Sequence, residues 1–281
     1  MILSVSNIAW APEERLGAYD LMEEAGLTGL EIAPALFFTG ADDPFVPDNG
    51  TTNAALSEIK ARGLSLVSMQ SLLYGVQGAS LLGDESERAA FTLGMIRAID
   101  LADRFGIPNL VFGSPMQRRI PDGMAYDNAL SQAADAFRHL GDRAAEAGTV
   151  IAIESNPAAY GTNFLNTLEE AELFVAQVDH PAIALVLDLG AMHMNGTFGT
   201  LVTRASALAS RLNHVHISEP HLAPAPANPT ALAPVLAALR SAGYGRAVSI
   251  EMKRHHRGLE TLRDRVVALS QAAAATAGVL G

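Results

Sequence analysis

The chain has no cysteine among its 281 residues, so neither disulfides nor thiolate metal sites are available to it. No apolar run approaches the roughly 20 residues that a membrane span needs. The first ten residues, Met1 to Trp10, lack a basic region followed by a long apolar segment. No signal peptide is therefore visible, and the cytosol is the expected address. Positive charge is scarce, with 19 Lys and Arg against 30 Asp and Glu and a formal net charge of −11. Such a field repels a phosphate backbone and argues against nucleic acid as the natural partner. Glycine is missing from the turn after the first apolar run, Ser6-Asn7-Ile8-Ala9-Trp10. A doubly wound nucleotide-binding sheet normally carries a Gly-rich phosphate turn there, so that architecture is disfavoured.

What is present is an ordinary globular balance, 49% hydrophobic and 17% charged, without the composition of a disordered chain. Strand-like runs recur at eight places: Ile2 to Ser6, Gly29 to Ala33, Ser65 to Met69, Asn109 to Phe112, Val150 to Glu154, Ala184 to Asp188, His214 to Ser218 and Val248 to Glu251. Each is short, aliphatic and bounded by turn formers, the pattern of a strand buried on both faces. Helical periodicity fills the intervals over Pro12 to Ala25, Asp84 to Phe105, Asp127 to Ala147, Thr167 to Val178, Ala231 to Ala242 and Leu259 to Ala277. Thr167 followed by Glu170 reads as a capping box, and Gly94 interrupts its helix at a cost of about 1 kcal/mol relative to Ala. Eight βα units in a chain of this length predict an α/β fold, a closed (β/α)8 barrel. No composition break marks a linker, so a single domain over residues 1–281 is expected.

The last four runs each end on a potential metal ligand: Glu154, Asp188, His216 and Glu251. Parallel strands present their last residues at one edge of the sheet, so these side chains are expected to converge. In a barrel that edge is the rim where catalytic residues are found. Three carboxylates crowded together without a cation would repel one another or take up protons. An oxygen-rich set with one imidazole suits Mn²⁺ first, with Mg²⁺, Co²⁺ and Zn²⁺ as alternatives. His214 and His216 share one face of their strand because side chains alternate with period two. His216 lies nearer the rim and is assigned to the metal, which leaves His214 as a core histidine held by a hydrogen bond. Further candidates stand on the same rim. Arg118 or Arg119 could hold an anionic substituent. Lys253 returns to the face of Glu251. Glu31, Gln70 and Asn156 could recognise hydroxyls, and Trp10, Phe37, Phe38 and Tyr74 could form an apolar wall. His180, His255 and His256 read as loop residues.

The motifs IAIESN (Ile151 to Asn156), LVLDLG (Leu185 to Gly190), HVHISE (His214 to Glu219) and VSIEMK (Val248 to Lys253), with SNIAW and GLEIAP (Gly29 to Pro34) earlier, resemble the sugar phosphate isomerase/epimerase family. These xylose isomerase-like barrels also include ketose 3-epimerases, inosose dehydratases and AP endonucleases. The resemblance implies the same four metal ligands and an acid/base pair on Glu154 and Glu251. Two departures concern substrate contacts. Many epimerases of the family carry His three residues after the Asp, where this chain has Ala191, with His193 two residues further on. They also commonly place an Arg after the His-x-x-Glu segment, where this chain reads Glu219-Pro220-His221-Leu222. His193 and His221 are the candidates to compensate.

The resemblance implies a metal-dependent isomerase or epimerase that moves a proton beside a carbonyl through a cis-enediolate. The departures point to a derivatised sugar or keto-polyol as the small-molecule substrate. Loss of a β-hydroxyl from the same intermediate would make the enzyme a dehydratase of a keto-sugar or inosose. An AP endonuclease-type phosphodiesterase needs several histidines in early loops, and the earliest here is His139. A non-catalytic barrel would be expected to lack a ligand. Neither a membrane nor nucleic acid is an expected partner, and nothing in the sequence excludes a homo-oligomer.

Overall fold

The eight apolar runs become strands that close into a parallel barrel in sequence order, β1-β2-β3-β4-β5-β6-β7-β8, in the computed structural model, which describes residues 1–276. They are β1 (Ile2–Ser6), β2 (Gly29–Ile32), β3 (Ser65–Met69), β4 (Asn109–Phe112), β5 (Val150–Ile153), β6 (Ile183–Asp188), β7 (Leu212–Ile217) and β8 (Ala247–Ile250). Every boundary falls within two residues of its sequence expectation. Glu154 and Glu251 lie one residue past β5 and β8, whereas Asp188 is the last residue of β6.

The expected helices form, and their ends show why. Asp84 caps Glu85–Phe105 by accepting from the Glu87 amide, and the Glu87 carboxylate accepts in return from the Asp84 amide. That helix tolerates Gly94 because a Cβ there would stand 2.8 Å from Leu73 and 2.9 Å from Val76. Thr167 caps Leu168–Val178 through the Glu170 amide. The reciprocal half of that box shifts by one residue, since Glu170 accepts from the amide of Asn166 at 2.6 Å. The last helix runs Leu259–Ala275; Ala277, included in its sequence expectation, lies outside the described residues. The periodicity missed Pro34–Phe37, Asn49–Lys60, Leu189–Met194 and Leu201–Leu208. The second of these is capped by the Asp48 side chain, and the third by Asp188.

The chain packs as two compact units, residues 1–67 with those from 187 onward, and residues 68–186. In the first, β1 pairs with β2 and β8, and β7 pairs with β8. Polar side chains tie the interior there, with Ser4 Oγ 2.6 Å from Ser249 Oγ. Gly29 allows close strand approach, because a Cβ would meet that of Ser4 at 2.7 Å. In the second, β4 pairs with β3 and β5, and β5 with β6. Its outer core is aromatic: Phe112 meets Phe137 at 4.9 Å between ring centroids, and Phe137 meets Phe174 edge-on at 5.3 Å. Among the described residues no helix is long and apolar enough to cross a membrane.

Candidate metal centre

Strand β7 is buried along its whole length, and its alternation puts His214 and His216 on one face with ring centroids 5.0 Å apart. Both rings meet the carboxylate of Glu31 on β2, and all three side chains are fully buried. His216 Nε2 lies 3.1 Å and 3.2 Å from the two Glu31 oxygens, and His214 Nε2 lies 3.5 Å from Oε1. Burial alone would raise the Glu31 pKa, but the charges and hydrogen bonds of His216 and His214 hold it well below the usual carboxylate range. Glu31, expected to read a substrate hydroxyl, is thus engaged by two imidazoles beneath the rim.

The other nitrogen of His216 faces the acidic residues. Nδ1 is 3.3 Å from Glu251 Oε2 and 3.7 Å from Asp188 Oδ2. Asp188 is fixed by both oxygens. Oδ1 accepts from the Ala191 amide and so caps Leu189–Met194, while Oδ2 accepts from Ser218 Oγ at 2.8 Å. Ser218 in turn accepts from the Gly190 amide at 2.8 Å. Position 190 must be small, since a Cβ would stand 2.9 Å from both Ser218 Oγ and the Glu219 carbonyl oxygen. Sequence reasoning overlooked Ser218. Its signal was available, two residues after His216 on the same strand face. Asp188, His216 and Glu251 are buried, at 9%, 0% and 8% exposure, and their ligand atoms lie within 4.8 Å of one another. Two carboxylates and one imidazole nitrogen, held together and nearly dry, are a donor set that fits a divalent cation. Glu31, His214 and His216 form a second group within the same limit.

In the second unit, Glu154 is also buried. Its amide donates to the Phe112 carbonyl at 3.1 Å, extending the β4–β5 register by one step. Asn156 Nδ2 donates to Glu154 Oε2 at 3.0 Å, and Asn156 Oδ1 is buried without a hydrogen-bond partner among the described residues. Gly113 brings the β4 loop against this carboxylate, because a Cβ there would meet Glu154 Oε2 at 2.6 Å. Arg118, expected to offer its cation to a substrate, is fully buried instead. It donates to the Glu154 carbonyl at 2.7 Å and the Leu165 carbonyl at 3.1 Å. Burial pushes its guanidinium down to about 10, so it stays charged at neutral pH. Arg118 therefore fastens the backbone that carries Glu154. Arg119 is exposed and donates to the Gly161 carbonyl. Gln70, just past β3, is buried.

The remaining candidates are peripheral in their own unit. His193 is exposed, 3.8 Å from Glu219 Oε2 and packed on Phe198. His221 is exposed at a positive φ of 60°. Lys253 has an exposed side chain, with its amide bound to the Leu222 carbonyl at 2.9 Å. Ala191 is buried and offers no polar group in place of the family's His. Trp10, Phe37 and Phe38 are buried, whereas Tyr74 is exposed.

A parallel eight-stranded barrel with its acidic and imidazole groups at strand ends is a recognisable type, and the sequence pattern of the xylose isomerase-like TIM barrel family matches residues 19–275. The chain belongs to that family. It is similar to a ketose 3-epimerase of Arthrobacter globiformis, 29% identical over 184 residues. That match covers 64% of this chain and 59% of the relative, so the chain spans about three fifths of the relative's length. Among solved structures it is similar to 3-keto-D-glucoside 4-epimerase from E. coli, with a TM-score of 0.72, 20% identity, and 98% and 99% of the two chains covered. It is also similar to D-psicose 3-epimerase from Clostridium cellulolyticum H10, crystallised with D-tagatose, with a TM-score of 0.73, 16% identity, and 100% and 99% covered. At these identities the two solved structures bear on the fold alone.

Proposed function

We propose that the protein is a metal-dependent sugar isomerase or epimerase, with Glu154, Asp188, His216 and Glu251 holding one divalent ion, Mn²⁺ for preference. The observation that carries the reading is His216 Nδ1 directed at Asp188 and Glu251, with both carboxylates buried and Asp188 held through both of its oxygens. The fourth ligand, Glu154, is proposed from its position at the end of β5, the strand paired with β6. The similarity to a ketose 3-epimerase supports the class of reaction.

When bound, a divalent ion would supply a Lewis acid for a carbonyl oxygen and the hydroxyl beside it. The chain's own residues then handle one proton. One of Glu154 and Glu251 accepts the proton from the carbon next to the carbonyl, and the C–H electron pair forms the double bond of an enediolate. The other Glu, protonated at the start, donates its proton to the opposite face of that carbon, which inverts it, or to the neighbouring carbon while the hydroxyl proton passes to the former carbonyl oxygen, which moves the carbonyl. Asn156 holds Glu154 by donating to Oε2 at 3.0 Å. Near-complete burial of both glutamates limits competition from water.

The proposed substrate is a derivatised sugar or keto-polyol. Ala191 and the Glu219-Pro220-His221 segment omit two polar contacts to a free ketose, and Lys253 and Arg119 remain as exposed cations once Arg118 is assigned to the backbone. A cytosolic address and a small-molecule partner accord with this reading. The test is incubation of Mn²⁺-loaded protein with free and substituted keto-sugars in D₂O. Deuterium entering carbon beside the carbonyl, only with metal present, is the expected result; exchange that is indifferent to metal removal contradicts it.

A further inference from the structure

Glu31 has the least accessible carboxylate of those near the centre and lies outside the ligand set read at the strand ends. We propose that Glu31 is a positioning residue that fixes the ring and tautomer of His216, so that Nδ1, not Nε2, is the metal-binding nitrogen. The proposal rests on the reading of Asp188, His216 and Glu251 as ligands. His216 Nε2 lies 3.1 Å and 3.2 Å from the two oxygens of Glu31, the placement of an N–H shared between the oxygens of one carboxylate. A neutral imidazole has one N–H. With that hydrogen on Nε2, the lone pair sits on Nδ1, the atom facing Glu251 and Asp188. Carboxylate, histidine and metal then form a line in which the carboxylate orients the ring and raises its basicity.

The rival arrangement puts the ion between Glu31, His214 and His216, whose atoms are close enough to hold one. Exposure separates the two. Those three side chains have no accessible surface, whereas Asp188 and Glu251 keep 9% and 8% of theirs. Glu31 is also fully engaged without an ion, since both imidazoles face its carboxylate.

The test uses the full-length protein. Mn²⁺ titration by calorimetry and electron paramagnetic resonance compares the wild type with Glu31→Leu, which removes the acceptor, and Glu31→Gln, which keeps one. Loss of an orienting carboxylate typically weakens metal binding about 10- to 100-fold, so Leu is expected to fall in that range and Gln to recover part of it. Affinity in Glu31→Leu within about twofold of wild type overturns the proposal while leaving the metal centre intact. If Glu31→Leu does not fold, ¹⁵N-histidine NMR of the Zn²⁺-loaded wild type decides. A protonated Nε2 and a metal-shifted Nδ1 at His216 are expected, and coordination through Nε2 overturns the proposal and places the ion beside His214. A wild type that binds no Mn²⁺ or Zn²⁺ removes the metal centre itself, and with it this role for Glu31.

Discussion

Ser218 Oγ donates to Asp188 Oδ2 at 2.8 Å and is itself held by the Gly190 amide. This short relay sets the direction of a buried carboxylate whose other oxygen is already occupied as a helix cap. Ser218→Ala removes the donor and leaves Asp188 short of a partner in a dry place. A hydrogen bond to a charged group contributes about 1.5–3 kcal/mol, so Mn²⁺ affinity should fall by roughly tenfold or more at that magnitude. Calorimetric titration checks this, and an unchanged dissociation constant would show that Asp188 is held by the helix cap alone.

Gly113 offers a second probe of geometry. A methyl group there would meet Glu154 Oε2 at 2.6 Å and Asn156 Oδ1 at 3.4 Å. The first of these atoms is the end of a flexible side chain, so Gly113→Ala should displace the carboxylate and leave the barrel standing. Misplacing a reacting group by about 1 Å can cost 10²-fold in rate. We expect kcat to drop at least tenfold while the urea midpoint moves little. A large fall in stability with specific activity preserved would place the strain in the loop and not on Glu154.

Glu154→Gln and Glu251→Gln keep shape but cannot accept a proton, and loss of a general base lowers rates by about 10²–10⁴-fold. Each is also a proposed ligand, so metal content must be measured on the same samples. Turnover that falls while bound Mn²⁺ stays near one per chain supports the acid/base roles. Near-normal activity in both variants would remove them.

Much of the barrel could be read from the sequence because its strands are short aliphatic runs buried on both faces, as β4 and β5 show. Ligand candidates were legible for a related reason: each is a polar residue placed where such a run stops. Other details depended on three-dimensional packing that spacing does not encode. Arg118 lies in a loop, where an arginine ordinarily faces water, and only the fold reveals that it is buried against two carbonyls. Glu31 lies 185 residues from His216 in the chain, so no local pattern could pair them. The helix Leu189–Met194 carries no periodic signal because it is a single short element started by Asp188, itself a ligand candidate.

The substrate prediction follows from what the rim lacks. A site built to hydrogen-bond a hydroxyl rejects an analogue without it strongly, so a site without those groups should handle free ketoses poorly. Ala191 is buried and apolar, and His193 is turned toward Glu219 and Phe198. We expect kcat/KM on unmodified fructose, tagatose or psicose to fall below that on a substituted keto-sugar or cyclitol ketone in a matched panel with Mn²⁺. An unmodified ketohexose as the best substrate would mean that His193, His221 or Lys253 supplies the missing contacts.

One divalent ion is proposed to sit on Glu154, Asp188, His216 and Glu251, and anomalous diffraction from a Mn²⁺-loaded crystal locates it. A single strong peak about 2.0–2.3 Å from His216 Nδ1 and from oxygens of the three carboxylates is the expected result. No peak at that position, or one lodged between Glu31 and His214, would contradict it.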